Sequence, residues 1–350
     1  MDVLKTPKQL PSPTHEVIVV LEEVHLVVDY VDITPRSHEI ISYHRIAKAD
    51  EVRARIQWAS IVIATQAFIT AESLGEAPKC VITPTAGTNH IDLNECKRRG
   101  IRVAKCAGST SPAVSEHALS LYFAARRKTV LLHNDIRTVD EHGANSWKRQ
   151  RSIALKMQTA NEHPPCSIEE ETVGIIGYGH IGKRLAGFCE ALGMKVLIAE
   201  RKIGTPTRNT AEEMTERTPF DEVIRTATVL FICCTSTSDT VNMIDTAELG
   251  AMRPEMIIVN VSRGNVVNTA EVIKALREQR ISGAAADVFD QEPASTEEDS
   301  AFLAGNTRDL NLTFSPHVGY YSTKTDVTMK RMVREQIKNF VNGYFSKFEV

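Results

Sequence analysis

What this sequence lacks narrows its class before any motif is read. No stretch approaches the ~20 apolar residues of a membrane-spanning helix. The opening MDVLKTPKQLPSPTHE has no apolar core and reads as a polar lead-in rather than a secretory signal. At the other end, Phe348, Glu349 and Val350 match no targeting tail. Positive charge is not in surplus: 41 Lys and Arg stand against 44 Asp and Glu, a net charge of −3, so the basic footprint of a nucleic-acid binder is missing. Cysteine forms no framework either. The seven, at positions 80, 96, 106, 166, 189, 233 and 234, are odd in number and show no zinc spacing. Internal repeats and low-complexity segments are absent as well. The expectation is a soluble, cytoplasmic protein with free thiols, no metal, and no membrane or nucleic-acid partner.

What is present is a rhythm. At 350 residues the chain exceeds one comfortable core, so two domains are expected. Apolar runs of strand length, VIVVL (17–21), SIVIAT (60–65) and CVITPT (80–85), alternate with helix-period stretches such as ADEVRARIQW. That βαβ alternation predicts an α/β fold with parallel sheets. The longest helical pattern runs from Pro112 to Ile136, with Ser109, Thr110 and Ser111 as capping candidates. A polar, irregular stretch that includes Trp147 follows and reads as an extended arm. The rhythm then restarts with TVGIIGYGHIG, KVLIAE, TVLFICCT, MIIVNVS and GAAADVF, then a strand-like NLTFSPH, and the chain closes on a helical pattern.

The first of these runs carries G-x-G-x-x-G at Gly177, Gly179 and Gly182, with a strand pattern before it and a helix pattern after it. The first glycine permits a tight turn, the second lets the backbone approach a pyrophosphate, and the third lets helix and strand pack closely. The next strand ends in Glu200, 23 residues after Gly177, where a carboxylate can accept from the ribose hydroxyls of NAD and repel the 2′-phosphate of NADP. Arg201 and Lys202 come next, so NADP stays open; as solvated surface charge at a strand end they leave NAD as the cofactor.

Three further strand ends present charged groups. Arg263 follows MIIVNVS. GAAADVF ends in a cluster of acids, Asp287, Asp290 and Glu292, which would be costly to bury unpaired. His317 follows NLTFSP; alone, a histidine after proline is an ordinary turn residue. The strand ends of one doubly wound sheet line one crevice. In that setting a guanidinium can hold a carboxylate or carbonyl oxygen through two donors. An imidazole can move a hydroxyl proton, and a neighbouring carboxylate favours its charged form and orients the ring. The interconversion of a 2-hydroxyacid and a 2-ketoacid needs this set.

Taken together, VGIIGYGHIGKRLAG, GMKVLIAERK, VNVSRGNVVN, ADVFDQEP and SPHVGYYS resemble the D-isomer-specific 2-hydroxyacid dehydrogenases, the group of glycerate, phosphoglycerate and D-lactate dehydrogenases and glyoxylate/hydroxypyruvate reductases. TAGTNHIDLNECKRRGIRVAKC and GSTSPAVSEHALSLYFAARR are similar to that family's other signatures, and the likeness covers roughly residues 60–345. The resemblance implies two Rossmann-like or flavodoxin-like domains with the active-site cleft between them. A discontinuous substrate domain would span 1–122 and 319–350, an NAD-binding domain 123–318, and the assembly would be a homodimer joined through the arm around Trp147.

By the same resemblance, Arg263 anchors the substrate carboxylate, Glu292 is the partner and His317 the acid–base. Asp287 would bond the nicotinamide carboxamide and Val114 would pack beside that ring. The rest of the cofactor surface would comprise His180, Ile181, Cys234, Thr235, Val261 and Ser262. Ala86 and Gly87 would offer N–H groups to the substrate carboxylate, and Tyr320 or Tyr321 would shape its pocket. The strand end Thr65 to Phe68 is a weaker specificity candidate. Ser115, Glu116 and His117 are successive helix positions that point apart, so interdomain packing is expected of them. Cys233, Cys234 and Thr235 stand where many members have His-x-Pro or Cys-Pro, which loosens the adenine pocket. Glu292, where the formate dehydrogenases have Gln, argues against formate oxidation. Two alternatives stay open: a dinucleotide-sensing scaffold like the corepressors of this fold, and an NADP-preferring reductase using Arg201 and Lys202.

Overall fold

In strand β1, His15–Val20, every residue is buried, and the alternation of its side chains divides them between two cores. Val17 and Val19 face one cluster with Ile41, Val52, Ile56, Val62 and Val81. Ile18 and Val20 face the other, where Met329, Val333 and Ile337 line one stripe of the helix Thr323–Val341. A strand with helices on both faces needs an unbroken apolar run, and VIVVL supplies one. A computed structural model describes residues 3–24, 26–202, 216–346 and 348–349.

The chain divides into two units, Met1–Thr110 with Tyr321–Val350, and Ser111–Tyr320. In the first, β1 is joined by β2 (Ser37–Ser42), β3 (Ile61–Ile63), β4 (Cys80–Thr83) and β5 (Arg102–Lys105). All pair in parallel, in the order β2-β1-β3-β4-β5. The apolar runs predict β1, β3 and β4 but not β2 or β5. Those two are the edges of the sheet, and edge strands carry the polar residues that hide them from an apolar-run reading, here His38, Glu39, Arg102 and Lys105.

In the second unit each run read as a strand becomes one: β6 (Thr172–Ile176), β7 (Lys195–Ile198), β8 (Val229–Ile232), β9 (Ile257–Asn260), β10 (Gly283–Ala286) and β11 (Leu312–Phe314). They form one parallel sheet ordered β11-β10-β9-β8-β6-β7, extended beyond β7 by a single bridge from Ala199 to Thr218. The order turns back at β6, which lies between β7 and β8. In an open α/β sheet that switch point is where a crevice opens outside the carboxyl ends of the strands.

Two expectations need correcting. The helical pattern from Pro112 to Ile136 is not one helix: Ser111–Arg126 stops and Thr129–Arg137 starts afresh, because Lys128 is left-handed at φ 48°. The longest helix is Thr323–Val341, with 19 residues. The unit boundary also lies at 110/111 rather than 122/123. Val114, Ala118, Leu121, Tyr122 and Ala125 share an apolar cluster with β6, β8, β9 and β10. Arg126, 3% exposed, donates to Glu171 Oε2 at 2.9 Å, Thr228 O at 3.0 Å and Glu255 O at 2.8 Å. A buried cation with those partners ties this helix to the second sheet. The second boundary falls at 320/321 instead of 318/319, which separates the two tyrosines. The expected arm is irregular but not bare: it holds a short helix, Ser146–Gln150, and a turn of 3₁₀ helix, Ala154–Met157.

Candidate active site

At the switch point, β6 runs through Gly177-Tyr178-Gly179 into the helix His180–Ala191. Gly177 sits at φ 93°, and a Cβ there would lie 2.5 Å from the Cys234 backbone nitrogen. A Cβ on Gly182 would lie 2.1 Å from Gly177 O, whereas one on Gly179 would meet nothing within 4 Å. Packing therefore requires the first and third glycines, and the second leaves an open backbone at a helix N-terminus. That arrangement fits a pyrophosphate. His180 is exposed and Ile181 half-buried in the first turn of the helix; after β8, the Cys234 main chain backs the glycine turn and Thr235 is exposed.

Glu200, two residues past the end of β7, donates its N–H to Thr218 O at 2.9 Å; among the described residues nothing pairs with its carboxylate. It could accept from ribose hydroxyls. Of the two cations beside it, Lys202 is engaged: its Nζ donates to Met243 O at 2.9 Å and lies 2.8 Å from Glu248 Oε1. Arg201 is exposed.

Along the same sheet, the ends of β9, β10 and β11 bring the three chemistry-bearing residues together. After β9, the Asn260 amide donates to Arg263 O at 2.9 Å and its Oδ1 accepts from Ser262 N at 3.0 Å and Ser262 Oγ at 2.9 Å. Val261 and Ser262 are buried in this turn. A Cβ on Gly264 would lie 2.0 Å from Phe289 O, so a glycine lets the Arg263 turn rest on the segment that leads to Glu292. There Glu292 Oε2 accepts from His317 Nδ1 at 2.5 Å, and Oε1 accepts from Phe289 N at 3.0 Å. Burial pushes the Glu292 carboxyl up. The His317 hydrogen bond and charge, the Phe289 N–H and the Arg263 charge together outweigh it and hold Glu292 below its ordinary value. The pair is accessible: 41% of the His317 side chain and 31% of Glu292 are exposed. Because a carboxylate only accepts, Nδ1 carries the proton, and Nε2 is left outside the bond to Glu292.

Asp287, 3% exposed at the end of β10, has partners on both sides of His317. Its Oδ1 accepts from Ser315 Oγ at 2.6 Å and Val318 N at 3.0 Å, and Oδ2 accepts from Gly319 N at 2.8 Å. Burial raises its carboxyl, but His117, Ser315 and the two N–H groups together hold it below the ordinary value. Interdomain packing is the expectation for His117, yet its Nε2 lies 2.7 Å from Ser315 Oγ and 3.4 Å from Asp287 Oδ1, inside the second unit. One signal for it was available: His117 stands three residues after Val114, on the same helix face. Its neighbours do point elsewhere. Ser115 Oγ donates back to Ser111 O, and the exposed Glu116 lies 3.8 Å from Arg184.

Val114 is 9% exposed and shares its apolar cluster with the partly buried Tyr320, whereas Tyr321 is 80% exposed. In the first unit, Ala86 and Gly87 follow β4 in a turn where Thr85 Oγ1 donates to Gly87 O at 2.9 Å. Among the described residues their own N–H groups have no acceptor, as an anion nest requires. The loop after β3 is held by Glu22, whose Oε1 accepts from the N–H groups of Thr65, Gln66 and Ala67 at 2.5, 2.6 and 3.1 Å. Among the described residues there is no His, Cys, Asp and Glu cluster that could hold a metal, and no helix long and apolar enough to cross a membrane.

Residues 129–319 match the family described as D-isomer specific 2-hydroxyacid dehydrogenase, NAD binding domain. A glyoxylate reductase of Thermococcus litoralis is 30% identical over 279 residues, 78% of this chain and 77% of that protein. A glycerate dehydrogenase of Methylorubrum extorquens is 29% identical over 309 residues, 87% and 90% of the two chains. Among solved structures, a D-lactate dehydrogenase from Aquifex aeolicus complexed with NAD and lactic acid superposes with a TM-score of 0.69 at 21% identity, covering 95% of this chain and 99% of that one. An NADPH-dependent glyoxylate/hydroxypyruvate reductase from Sinorhizobium meliloti, in complex with NADP and malonate, gives 0.71 at 23%, covering 95% and 96%.

Proposed function

Since this chain belongs to the D-isomer specific 2-hydroxyacid dehydrogenases, oxidoreductases of 2-hydroxyacids and 2-ketoacids that use a nicotinamide cofactor, we propose that it interconverts a D-2-hydroxyacid and its 2-ketoacid with NAD through Arg263, Glu292 and His317. The observation that carries this reading is the 2.5 Å contact of His317 Nδ1 with Glu292 Oε2, which fixes the ring and leaves Nε2 free for substrate.

In reduction, His317 Nε2 gives its proton to the carbonyl oxygen; in oxidation it takes the hydroxyl proton. Glu292 stays anionic, accepts Nδ1–H and stabilises the imidazolium. Arg263 holds the substrate carboxylate through paired donors. In the first unit, the N–H groups of Ala86 and Gly87 form an anion nest suited to a carboxylate. Tyr320 borders the substrate. Gly177, Gly179, His180, Ile181 and Gly182 hold the pyrophosphate and Glu200 the ribose. Val114, Cys234, Thr235, Val261, Ser262 and Asp287 line the remainder of the cofactor, whose nicotinamide when bound supplies or takes up the hydride.

The preference for NAD rests on Glu200 and on the engagement of Lys202 by Glu248. The exposed Arg201 favours a second reading, a reductase that prefers NADP. The seven unpaired thiols support a reducing, cytoplasmic setting. Trp147, 57% exposed, and Leu155, 76% exposed, support a homodimer joined through the arm.

The test follows NADH and NADPH consumption with glyoxylate, hydroxypyruvate, pyruvate and larger 2-ketoacids. Turnover with one of them, faster with NADH, is expected. Folded protein that binds NADH and turns over none of them would overturn the proposal, and a higher kcat/KM with NADPH would select the second reading.

A further inference from the structure

His317 stands at φ 51°, a left-handed backbone that few non-glycine residues hold without support. The support is visible. Asp287 bonds Ser315 before the histidine and the N–H groups of Val318 and Gly319 after it, so one carboxylate clips the chain on both sides of His317. The Ser315 hydroxyl donates to Asp287, so at Ser315 Oγ the contact from His117 must be donated by Nε2–H. The His117 ring also packs on the loop directly: a Cβ on Gly319 would lie 2.9 Å from His117 Cδ2 and 2.7 Å from Asp287 Oδ2.

We propose that His117 is a positioning residue for the reaction: through Ser315 and Asp287 it holds the left-handed turn that presents the His317 ring to Glu292. This rests on the reading of His317 as the acid–base. A donor at His117 Nε2 orients the Ser315 hydroxyl toward Asp287. Without that donor the hydroxyl is free to rotate, Asp287 loses a partner on one side of the clip, and the His317 turn relaxes toward ordinary backbone. The Nδ1 to Oε2 contact then opens. Beside the turn, Glu292, Asp287 and His117 are bonded to it and Arg263 acts on Glu292 by its charge; the phenol of Tyr320 follows directly after Gly319.

The test uses the whole protein in three forms: wild type, His117→Phe, which keeps a ring without the donor, and His117→Gln, whose amide N–H can stand in for Nε2–H. Two quantities are read. One is kcat with the best 2-ketoacid beside the NADH dissociation constant. The other is the titration of the Glu292 side-chain carboxyl by ¹³C NMR, assigned with Glu292→Gln. His117→Phe should lower kcat on the order of tenfold, the loss of about one hydrogen bond, with NADH affinity kept. It should also move the Glu292 titration up toward the ordinary carboxylate range, and His117→Gln should restore both. A folded His117→Phe with an unchanged Glu292 titration would overturn the proposal, as would a Gln variant as impaired as Phe. If His117→Phe does not fold, Ser315→Ala is read against the same two outcomes. If wild type turns over no 2-ketoacid, the functional reading fails, while the Glu292 titration still decides the positioning role.

Discussion

The turn after β6 and the turns after β9, β10 and β11 lie along one edge of one sheet, yet they are built on opposite plans. After β6 side chains are removed: Gly177 and Gly182 are required by contacts of 2.5 and 2.1 Å, and Gly179 leaves bare backbone, the surface proposed for the pyrophosphate. After β9 to β11 the side chains are the proposed working parts, held by Asn260 at Arg263, by the Phe289 N–H at Glu292 and by Asp287 on either side of His317. A bound anion needs a rigid array of N–H dipoles close by; a proton in transit needs one nitrogen at one angle. One sheet edge can suit both because its strand ends differ in what they omit.

That contrast is open to attack. The largest effect is expected from His317→Ala, which should lower kcat/KM by roughly 10²–10⁴-fold while NADH still binds, since proton transfer is lost and the cradle is untouched. Equal loss of NADH binding, by fluorescence titration, would collapse the two plans into one. Next come the glycines. Gly177→Ala should lower the melting temperature by several degrees, about 1–3 kcal/mol of strain, because of its positive φ and its contact with Cys234. Gly179→Ala should leave the melting temperature within about a degree, yet weaken NADH on the order of tenfold by filling the space a pyrophosphate would use.

A smaller effect is expected from acid. Asp287 and Glu292 both titrate below their ordinary values, so the stability they add is fully present above those ordinary values and is lost as pH falls through the lowered ones. Activity recovered after brief exposure, and near-UV circular dichroism, should therefore hold to about pH 4 and fall below it. In Asp287→Asn and Glu292→Gln that acid transition should flatten. The smallest effect belongs to Lys202→Ala. It should change stability by under about 1 kcal/mol and the NADH to NADPH preference by less than about twofold, because Lys202 is already paired with Glu248.

Much of this was legible in the residues. A charged residue near the end of a strand must be either paired or aimed at a ligand, which drew attention to Glu200, Arg263, Asp287, Glu292 and His317, and the family resemblance then implied their individual roles. The strands β1, β3, β4, β6, β8, β9 and β10 followed from apolar runs because a central parallel strand is buried on both faces, and the outer strands β7 and β11 followed because they too keep short apolar runs. The edge strands β2 and β5 escaped for the opposite reason. The helix stop at Lys128 escaped because a left-handed lysine leaves no compositional mark. The apolar stripe of Ser111–Arg126 announced that this helix needs a core without saying which; the partners of Arg126 assign it to the second unit.

By itself, then, the sequence determined the residue types at the strand ends, the glycine spacing and the alternation that makes a parallel sheet, because each is a local consequence of burial and backbone geometry. Tertiary structure alone decided which strand ends are neighbours. It also decided that Gly264 lets the Arg263 turn close on the Glu292 segment, and that Tyr320 and Tyr321 part company. His117 shows the reason most plainly. Its partner Ser315 lies 198 residues away along the chain, a distance no local pattern spans and one that packing against the sheet reduces to a hydrogen bond.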